Sequence, residues 1–254
     1  MLKRVLFRAA AVAVAIVLGA GSAKADFVID DFTQPPSFTG LIGLTGNGQQ
    51  TVTRTDNYTV PGQGGIQRVL TVNQTQNVLG NNATQYGIGG IGGGQGIFTL
   101  ATSNGTSQTT ATTANASLSY TYQSAQDLLN SGTSVQFTFS GADQGTPYSV
   151  TLTDGNGDES TLGGQASDGA GVYSLSVGSF SGIDLTNVTS ILLSLNLDLT
   201  GANAPVASAD FTLNDVRVLT PTATPQVPAP PAAVLVLAAA PLLGLARVRR
   251  VLPV

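Results

Sequence analysis

Short segments in which apolar and polar residues alternate recur along residues 26–219, and helical periodicity is almost absent. Alternation with a period of two is typical of a strand that buries one face. The predicted strands are residues 27–32, 50–55, 66–73, 97–101, 116–122, 134–140, 148–153, 172–177, 188–199 and 209–219. Turn residues (Gly, Asn, Asp and Ser) separate them, so we expect an all-β fold, an antiparallel β-sandwich in the form of a jelly roll.

Three segments depart from this pattern. The last predicted strand changes phase between Leu213 and Val216, which predicts a β-bulge near Asn214 and Asp215. Residues 124–130 are the one helical candidate, of one or two turns. Residues 77–113 are rich in Gly, Ser and Thr and predict a flexible excursion between strands. The formal G-x-G-x-x-G match within that excursion, at Gly87, Gly89 and Gly92, leads into a strand-like segment, so we expect a loop and no cofactor.

The basic residues are concentrated at the two ends of the chain. Between residues 25 and 246 only Arg54, Arg68 and Arg217 occur, against 14 acidic residues, so that part carries 3 − 14 = −11. We therefore expect no nucleic-acid partner, because phosphate binding needs clustered Lys and Arg.

Residues 1–25 have the order of a cleaved secretory signal peptide. A basic start is followed by an apolar run, and Ala23 and Ala25 then give the small-x-small pattern of a cleavage site before Asp26. The folded domain is expected to span residues 26–219, outside the cytoplasm.

The C-terminus predicts a stalk and a membrane segment. Residues 220–231 are rich in Pro and favour an extended stalk. Residues 232–254 contain an apolar run expected to form a transmembrane helix, and Arg247, Arg249 and Arg250 follow it as a basic stop on the cytoplasmic side.

This tail resembles the PEP-CTERM sorting signal. The resemblance rests on the order of Val227, Pro228, Ala229, Pro230 and Pro231, a short apolar span and a terminal Arg cluster. It implies export by a Gram-negative bacterium, an exosortase-like processing enzyme as partner, and a place at the cell surface or in the extracellular matrix beside exopolysaccharide. Ala229 stands where the usual motif has Glu, so the tail is closer to a VPxP-type variant.

Asp154, Asn156 and Asp158 place three oxygen-bearing side chains at alternate positions, as in the first half of a calcium loop. The positions that an EF-hand reserves for Gly and Glu hold Glu159 and Gln165, so an EF-hand is excluded. Two alternatives remain: a hairpin turn built on Asp-Gly and Asn-Gly, or a structural calcium site.

The body also resembles carbohydrate-binding jelly-roll modules, through residues 28–32, 180–191 and 209–218 in that order. Such modules often hold a structural calcium between their first and last strands, which implies Asp30, Asp31 and Asp210 as alternative ligands. They bind sugars on aromatic platforms. Without Trp, the aromatic residues with a polar group are Tyr58, Tyr86, Tyr120, Tyr122, Tyr148 and Tyr173.

Catalysis is difficult to build from this composition. The chain has no His and no Cys, and residues 26–219 contain no Lys, which excludes a Ser-His-Asp triad, a Cys nucleophile and an imidazole base. Paired carboxylates of a glycoside hydrolase are the remaining route. We expect no catalytic residues and a structural protein of the cell surface or matrix. The alternative is a module that binds glycan or exopolysaccharide.

Overall fold

The computed structural model describes residues 27–33, 42–44, 48–60, 63–76, 84–88, 97–102, 112–131, 134–143, 145–207 and 209–219. The predicted signal peptide, Pro-rich stalk and transmembrane segment lie outside these residues. No helix in the described ranges is long and apolar enough to cross a membrane.

The described residues form thirteen strands, which confirms the all-β prediction. In chain order they are β1 (Phe27–Asp30), β2 (Ile42–Gly43), β3 (Gln50–Val60), β4 (Gly64–Gln76), β5 (Thr84–Ile88), β6 (Phe98–Thr102), β7 (Thr113–Gln126), β8 (Ser134–Ala142), β9 (Pro147–Asp154), β10 (Glu159–Gln165), β11 (Gly171–Ser176), β12 (Val188–Leu195) and β13 (Phe211–Leu219). A helical turn, α1 (Leu128–Ser131), and a 3₁₀ turn (Val177–Ser179) complete them.

Two antiparallel sheets face each other. The seven-stranded sheet has the order β11-β8-β13-β6-β5-β2, and β1 pairs with β13 beyond the end of β6. The six-stranded sheet has the order β10-β9-β12-β7-β4-β3. A two-sheet antiparallel sandwich is therefore confirmed, and the finer jelly-roll assignment stays a prediction.

The core lies between the sheets, where the alternating apolar side chains meet. Phe137 on β8 and Tyr148 on β9 belong to opposite sheets, and their rings pack edge to face with centroids 4.8 Å apart. Leu118 on β7 and Ile191 and Leu193 on β12 are fully buried in the same core. The four core residues on β7, β8 and β12 thus lie on the faces that the apolar alternation predicts.

The β-bulge predicted near Asn214 and Asp215 is confirmed. The register between β13 and β8 shifts between Thr212 and Leu213 and again between Leu213 and Asp215. The extra residue lets Leu213 and Val216 both point into the core although three positions separate them.

The expected flexible excursion, residues 77–113, is wrong for residues 84–88, which form β5, whereas the strand predicted at residues 97–101 is confirmed as β6. β5 and β6 pair with each other, and β6 also pairs with β13 through Phe211, Thr212 and Leu213. Tyr86, Ile88, Phe98 and Leu100 from these strands are buried in the core. Gly87 is a residue of β5 opposite Thr99, so the apparent dinucleotide motif begins inside a sheet.

The predicted strand 188–199 ends four residues early. Asn196 has a positive φ of 54°, a conformation that Asn tolerates better than most residues. Its side chain donates to the carbonyls of Ala114 and Val206 and accepts the N–H of Val206, which ties the departing chain to β7. Leu199 consequently lies in a loop and is exposed.

Candidate functional site

The outer surface of the six-stranded sheet carries an array of hydroxyl and amide side chains on β3, β4 and β7. We call this the hydroxyl face and define it by Thr51, Thr53, Thr55, Asn57, Gln67, Val69, Thr71, Asn73, Asn115, Ser117, Ser119 and Thr121. These positions alternate with the buried ones, so all of them point away from the core and are exposed or half-buried. None of these side chains is charged, and Val69 is the one apolar member.

The strand register aligns these side chains in rows. Thr53 lies opposite Thr71, and Thr71 lies opposite Ser117 on the next strand. Neighbouring strands are about 4.8 Å apart, and alternate residues repeat about every 6.7 Å along a strand. The result is a regular two-dimensional arrangement of hydrogen-bonding groups.

Three cross-strand contacts hold the edge of the hydroxyl face in order. The Thr51 hydroxyl donates to Oδ1 of Asn73 at 3.1 Å, and the hydroxyls of Thr53 and Thr71 lie 3.4 Å apart. Nε2 of Gln67 donates to Oδ1 of Asn57 at 3.4 Å. Each of these groups keeps further hydrogen-bonding capacity, because hydroxyls and amides both donate and accept.

The outer surface of the seven-stranded sheet differs in charge. There Arg217 contacts Asp215 through two hydrogen bonds, of 3.1 and 2.7 Å, and Asp215 also accepts from the Thr138 hydroxyl. Gln136 donates to the hydroxyl of Ser174 on the same surface. An uncharged array thus distinguishes the hydroxyl face from the opposite face of the sandwich.

A charged cluster is buried beneath β4. Nη1 of Arg68 lies 2.7 Å from Oδ2 of Asp30, and its Nη2 lies 3.1 Å from Oδ2 of Asp56. The guanidinium also lies over the rings of Phe32 and Tyr58, at 5.9 and 5.4 Å from their centroids. Through Asp30 this cluster attaches the first strand to β4, the strand next to the edge of the six-stranded sheet.

Burial sets the protonation behaviour of the cluster. Loss of water raises the pKa of Asp30, and Arg68 together with the N–H of Phe32 offsets part of that rise. Burial by itself would lower the pKa of Arg68, but the Asp30 carboxylate outweighs it, so the net shift of the guanidinium pKa is upward. Arg68 is therefore held in its charged form.

The structure makes Asp154 the organiser of a turn. Its Oδ1 accepts the N–H groups of Asn156 and Asp158, and its Oδ2 accepts the N–H of Asp184. These hydrogen bonds, the one from Asp184 foremost, lower the pKa of Asp154. Asn156 and Asp158 are exposed. The arrangement has the geometry of the hairpin-turn alternative, since both oxygens of the first predicted calcium ligand already accept hydrogen bonds from the backbone.

The second predicted set of calcium ligands is not brought together. β1 and β13 do pair, but Asp30 lies opposite Val216, six positions from Asp210 and about 20 Å away along the strand. Asp30 contacts Arg68, whereas Asp31 is exposed and accepts from Thr33. Within the described ranges no three acidic side chains are grouped so that they could hold a metal ion.

The predicted tyrosines do not form an exposed platform. Tyr86, Tyr120, Tyr122 and Tyr148 are buried in the core. Two are half-buried: the Tyr58 hydroxyl donates to the carbonyl of Ile29, and the Tyr173 ring stacks on Phe137. All six therefore have the structural role that aromatic residues in strands most often have.

Asp143 and Asp210 are two carboxylates that lie near each other. Oδ2 of Asp143 accepts the backbone N–H of Asp210, and Oδ1 of Asp210 accepts the N–H of Thr102. Burial, and then the Asp143 charge, raise the pKa of Asp210, although the Thr102 N–H opposes this. Both carboxylates thus fasten loops at one end of the seven-stranded sheet.

Some predicted residues lie outside the described ranges. These are Ala23, Ala25 and Asp26 of the signal cleavage site, Val227 to Pro231 of the sorting motif, and Arg247, Arg249 and Arg250 of the basic stop.

Two features of the structure, the buried Arg68 cluster and the hydroxyl face, were not predicted from the sequence. Arg68 could have been recognised as a single charged residue at an inward position of a predicted strand. The hydroxyl face could have been recognised from the Thr and Ser residues at outward positions of the predicted strands.

Comparisons with known proteins give distant likenesses to carbohydrate-binding modules. The family 11 module of the cellulase Lic26A-Cel5E of Clostridium thermocellum is 12% identical, with a TM-score of 0.38 over 79% of this chain and 97% of that one. The same family's module in complex with a β-1,3-1,4-mixed-linked tetrasaccharide is 11% identical, with a TM-score of 0.37 over 78% and 98%. TmCBM61, in complex with β-1,4-galactotriose, is 8% identical, with a TM-score of 0.28 over 76% and 99%.

No family model matches the chain, and no curated protein does. The likenesses to solved structures are too distant to carry an argument about function.

Proposed function

We propose that this chain is a non-catalytic protein of the cell surface or extracellular matrix, and that its hydroxyl face is where it meets polysaccharide. The observation that carries the proposal is the uncharged, regularly spaced array of hydroxyl and amide groups on β3, β4 and β7. Sugar polymers present hydroxyl groups at short intervals, and such groups pair well with side chains that both donate and accept.

Several acidic side chains already make ion pairs or hydrogen bonds within the protein, which supports a non-catalytic role. Asp30 and Asp56 neutralise Arg68, Asp154 organises a turn, and Asp215 pairs with Arg217. A glycoside hydrolase needs two carboxyl groups placed across a bound sugar, one of them free to give up a proton. Asp158 and Glu159 follow one another in an exposed hairpin, and Asp168 is exposed in the loop between β10 and β11.

The absence of aromatic and charged groups from the hydroxyl face determines what kind of binding to expect. Stacking on a sugar ring would not contribute, and each hydrogen bond formed in water gives only about 1 kcal/mol net. Affinity for a single short oligosaccharide should therefore be low. A long polymer that touches many rows at once would be held more firmly.

The test is retention of the purified full-length chain on neutral β-glucan and neutral galactan, measured by affinity electrophoresis. We expect that 0.5 M salt does not weaken the retention, because salt screens interactions between charges and the hydroxyl face carries none. The variant Thr71→Ala/Ser117→Ala/Ser119→Ala should lose retention. A matched variant on the opposite face, Gln136→Ala/Ser174→Ala, should keep it. No retention by the unmodified chain, or equal loss in both variants, would refute the binding role.

Export and sorting belong to the same proposal and need a separate test. The two terminal segments support passage to the cell surface of a Gram-negative bacterium, with an exosortase-like enzyme acting near the Val227 motif. Mass spectrometry of the protein recovered from the cell surface should show a new N-terminus at Asp26 and a new C-terminus near residues 227–231. A surface protein intact through Val254 would exclude such processing.

A further inference from the structure

β3 is a long strand at the edge of the six-stranded sheet. It has eleven residues, and among the strands that the structure describes it pairs with β4 alone. The pairing is continuous from Gln50 opposite Gln74 to Val60 opposite Gly64, with no bulge. An edge strand of this kind presents a row of backbone N–H and C=O groups to whatever lies beside it.

The edge strands at the other ends of the two sheets are shorter. β2 has two residues, β11 has six and β10 has seven. Proteins usually protect a long edge with Pro, a bulge or several charges. β3 has no Pro and no Gly, and Thr, Val and Tyr supply most of its residues, which favours pairing with another strand.

We propose that β3 pairs with β3 of a second copy of this chain, antiparallel about a two-fold axis at Thr55. Thr55 is the middle residue of Gln50–Val60, so this register alone pairs all eleven residues of both strands. Because directly opposed residues point to the same side of an antiparallel sheet, both copies present their hydroxyl faces on one side.

The charges of β3 favour the same register. With the axis at Thr55, Arg54 lies opposite the partner's Asp56, which also contacts Arg68 within its own copy, and the symmetry repeats this pair on the other side of the axis. Moving the axis by one position puts Arg54 opposite the partner's Arg54, or Asp56 opposite the partner's Asp56. Like charges directly opposite each other destabilise a strand pair, whereas opposite charges stabilise it.

The remaining pairs are also complementary. Thr53 meets the partner's Asn57, and Thr51 meets the partner's Thr59, on the outer side. Val52 meets the partner's Tyr58 on the inner side, where both side chains already pack against the core. Opposed hydroxyl and amide groups, and an aromatic beside a β-branched residue, are favourable cross-strand pairs. The product is one twelve-stranded sheet with a hydroxyl face twice as wide.

The chain has no Cys, so single cysteines give a clean test of this register. In the full-length Thr55→Cys variant the two thiols should face each other, about 5 Å apart between Cβ atoms, and mild oxidation should link most of the protein into a covalent dimer. The matched Thr51→Cys variant should not cross-link, because its two thiols lie eight positions, or about 27 Å, apart along the strand. The double variant Thr51→Cys/Thr59→Cys should cross-link again.

Light scattering after gel filtration provides a second measurement. The unmodified chain should have twice the mass of one copy, and Thr55→Lys should reduce it to one copy, since two lysines would meet at the axis. Thr121→Lys adds the same charge to the same face, on the interior strand β7, and should leave the dimer intact. A monomeric unmodified chain, or equal cross-linking of the Thr55 and Thr51 single variants, would overturn the proposal. None of these outcomes depends on polysaccharide binding.

Discussion

Replacing Asp30 by Asn tests whether the buried cluster attaches β1 to the sandwich. The contact between Arg68 and Asp30 and the contact between Arg217 and Asp215 are both 2.7 Å long. They differ in exposure: the side chains of the first pair are each 1% exposed, those of the second 33% and 15%. The same substitution in the two pairs therefore separates the effect of burial from that of distance.

The expected magnitudes follow from this difference. Removing one member of a buried ion pair costs about 3–5 kcal/mol, because the other charge stays buried without its partner. Asp56 still contacts Arg68 at 3.1 Å, so Asp30→Asn should cost about 3 kcal/mol, the lower end of that range. Asp215→Asn should cost no more than about 1 kcal/mol, since water screens the exposed pair.

Urea unfolding, followed by circular dichroism, measures both costs. With a slope of about 2 kcal/mol per molar urea, Asp30→Asn should lower the midpoint by about 1.5 M and Asp215→Asn by less than about 0.5 M. Equal small shifts would refute the reasoning. Such a result would mean that Asp30 is protonated in the folded chain, which burial favours because it raises the pKa of this carboxyl group. The contact with Arg68 would then be a hydrogen bond to a neutral carboxyl group and not an ion pair.

Two further predictions concern the core and the β9–β10 turn. Phe98→Ala should destabilise the fold by about 3–5 kcal/mol in the same urea assay, because Phe98 is fully buried, while Val172→Ala at an exposed site should cost under about 0.5 kcal/mol. An equally small loss in both would mean that β6 is not part of the core. Because the pKa of Asp154 is below 3.8 in the folded chain, its stabilising effect should be full above pH 3.8 and decline as the pH falls further. The stability difference between the unmodified chain and Asp154→Asn, measured from pH 7 to pH 2, should therefore shrink below pH 3.8; a constant difference would contradict the turn role.

The alternation of apolar and polar residues predicted those parts of the fold in which the residues of a strand themselves show which face is buried. The alternation in residues 134–140 and 148–153 became β8 and β9, and the phase change before Val216 became the bulge of β13. Such features depend on residues close together in the chain, so the sequence carries them directly.

Features that depend on distant residues were not predicted. β5 has a weak local pattern, since Gly87 interrupts it, and it becomes a strand because β6 pairs beside it. The convergence of Asp30 and Asp210 failed because the two strands pair with Asp30 opposite Val216, and the register of strands so far apart in sequence could not be predicted. The hydroxyl face likewise became visible only when β3, β4 and β7 were placed side by side.

The position of β13 has a consequence for the order in which the fold forms. β13 is the last strand in the part of the chain that the structure describes, yet it lies inside its sheet, with β8 on one side and β6 and β1 on the other. During synthesis the N-terminal strand β1 must therefore wait for a partner almost the whole domain away. Closing so long a loop is slow, and unpaired strands invite wrong associations while they wait. The core that the structure describes is therefore complete only when the chain through residue 219 is available.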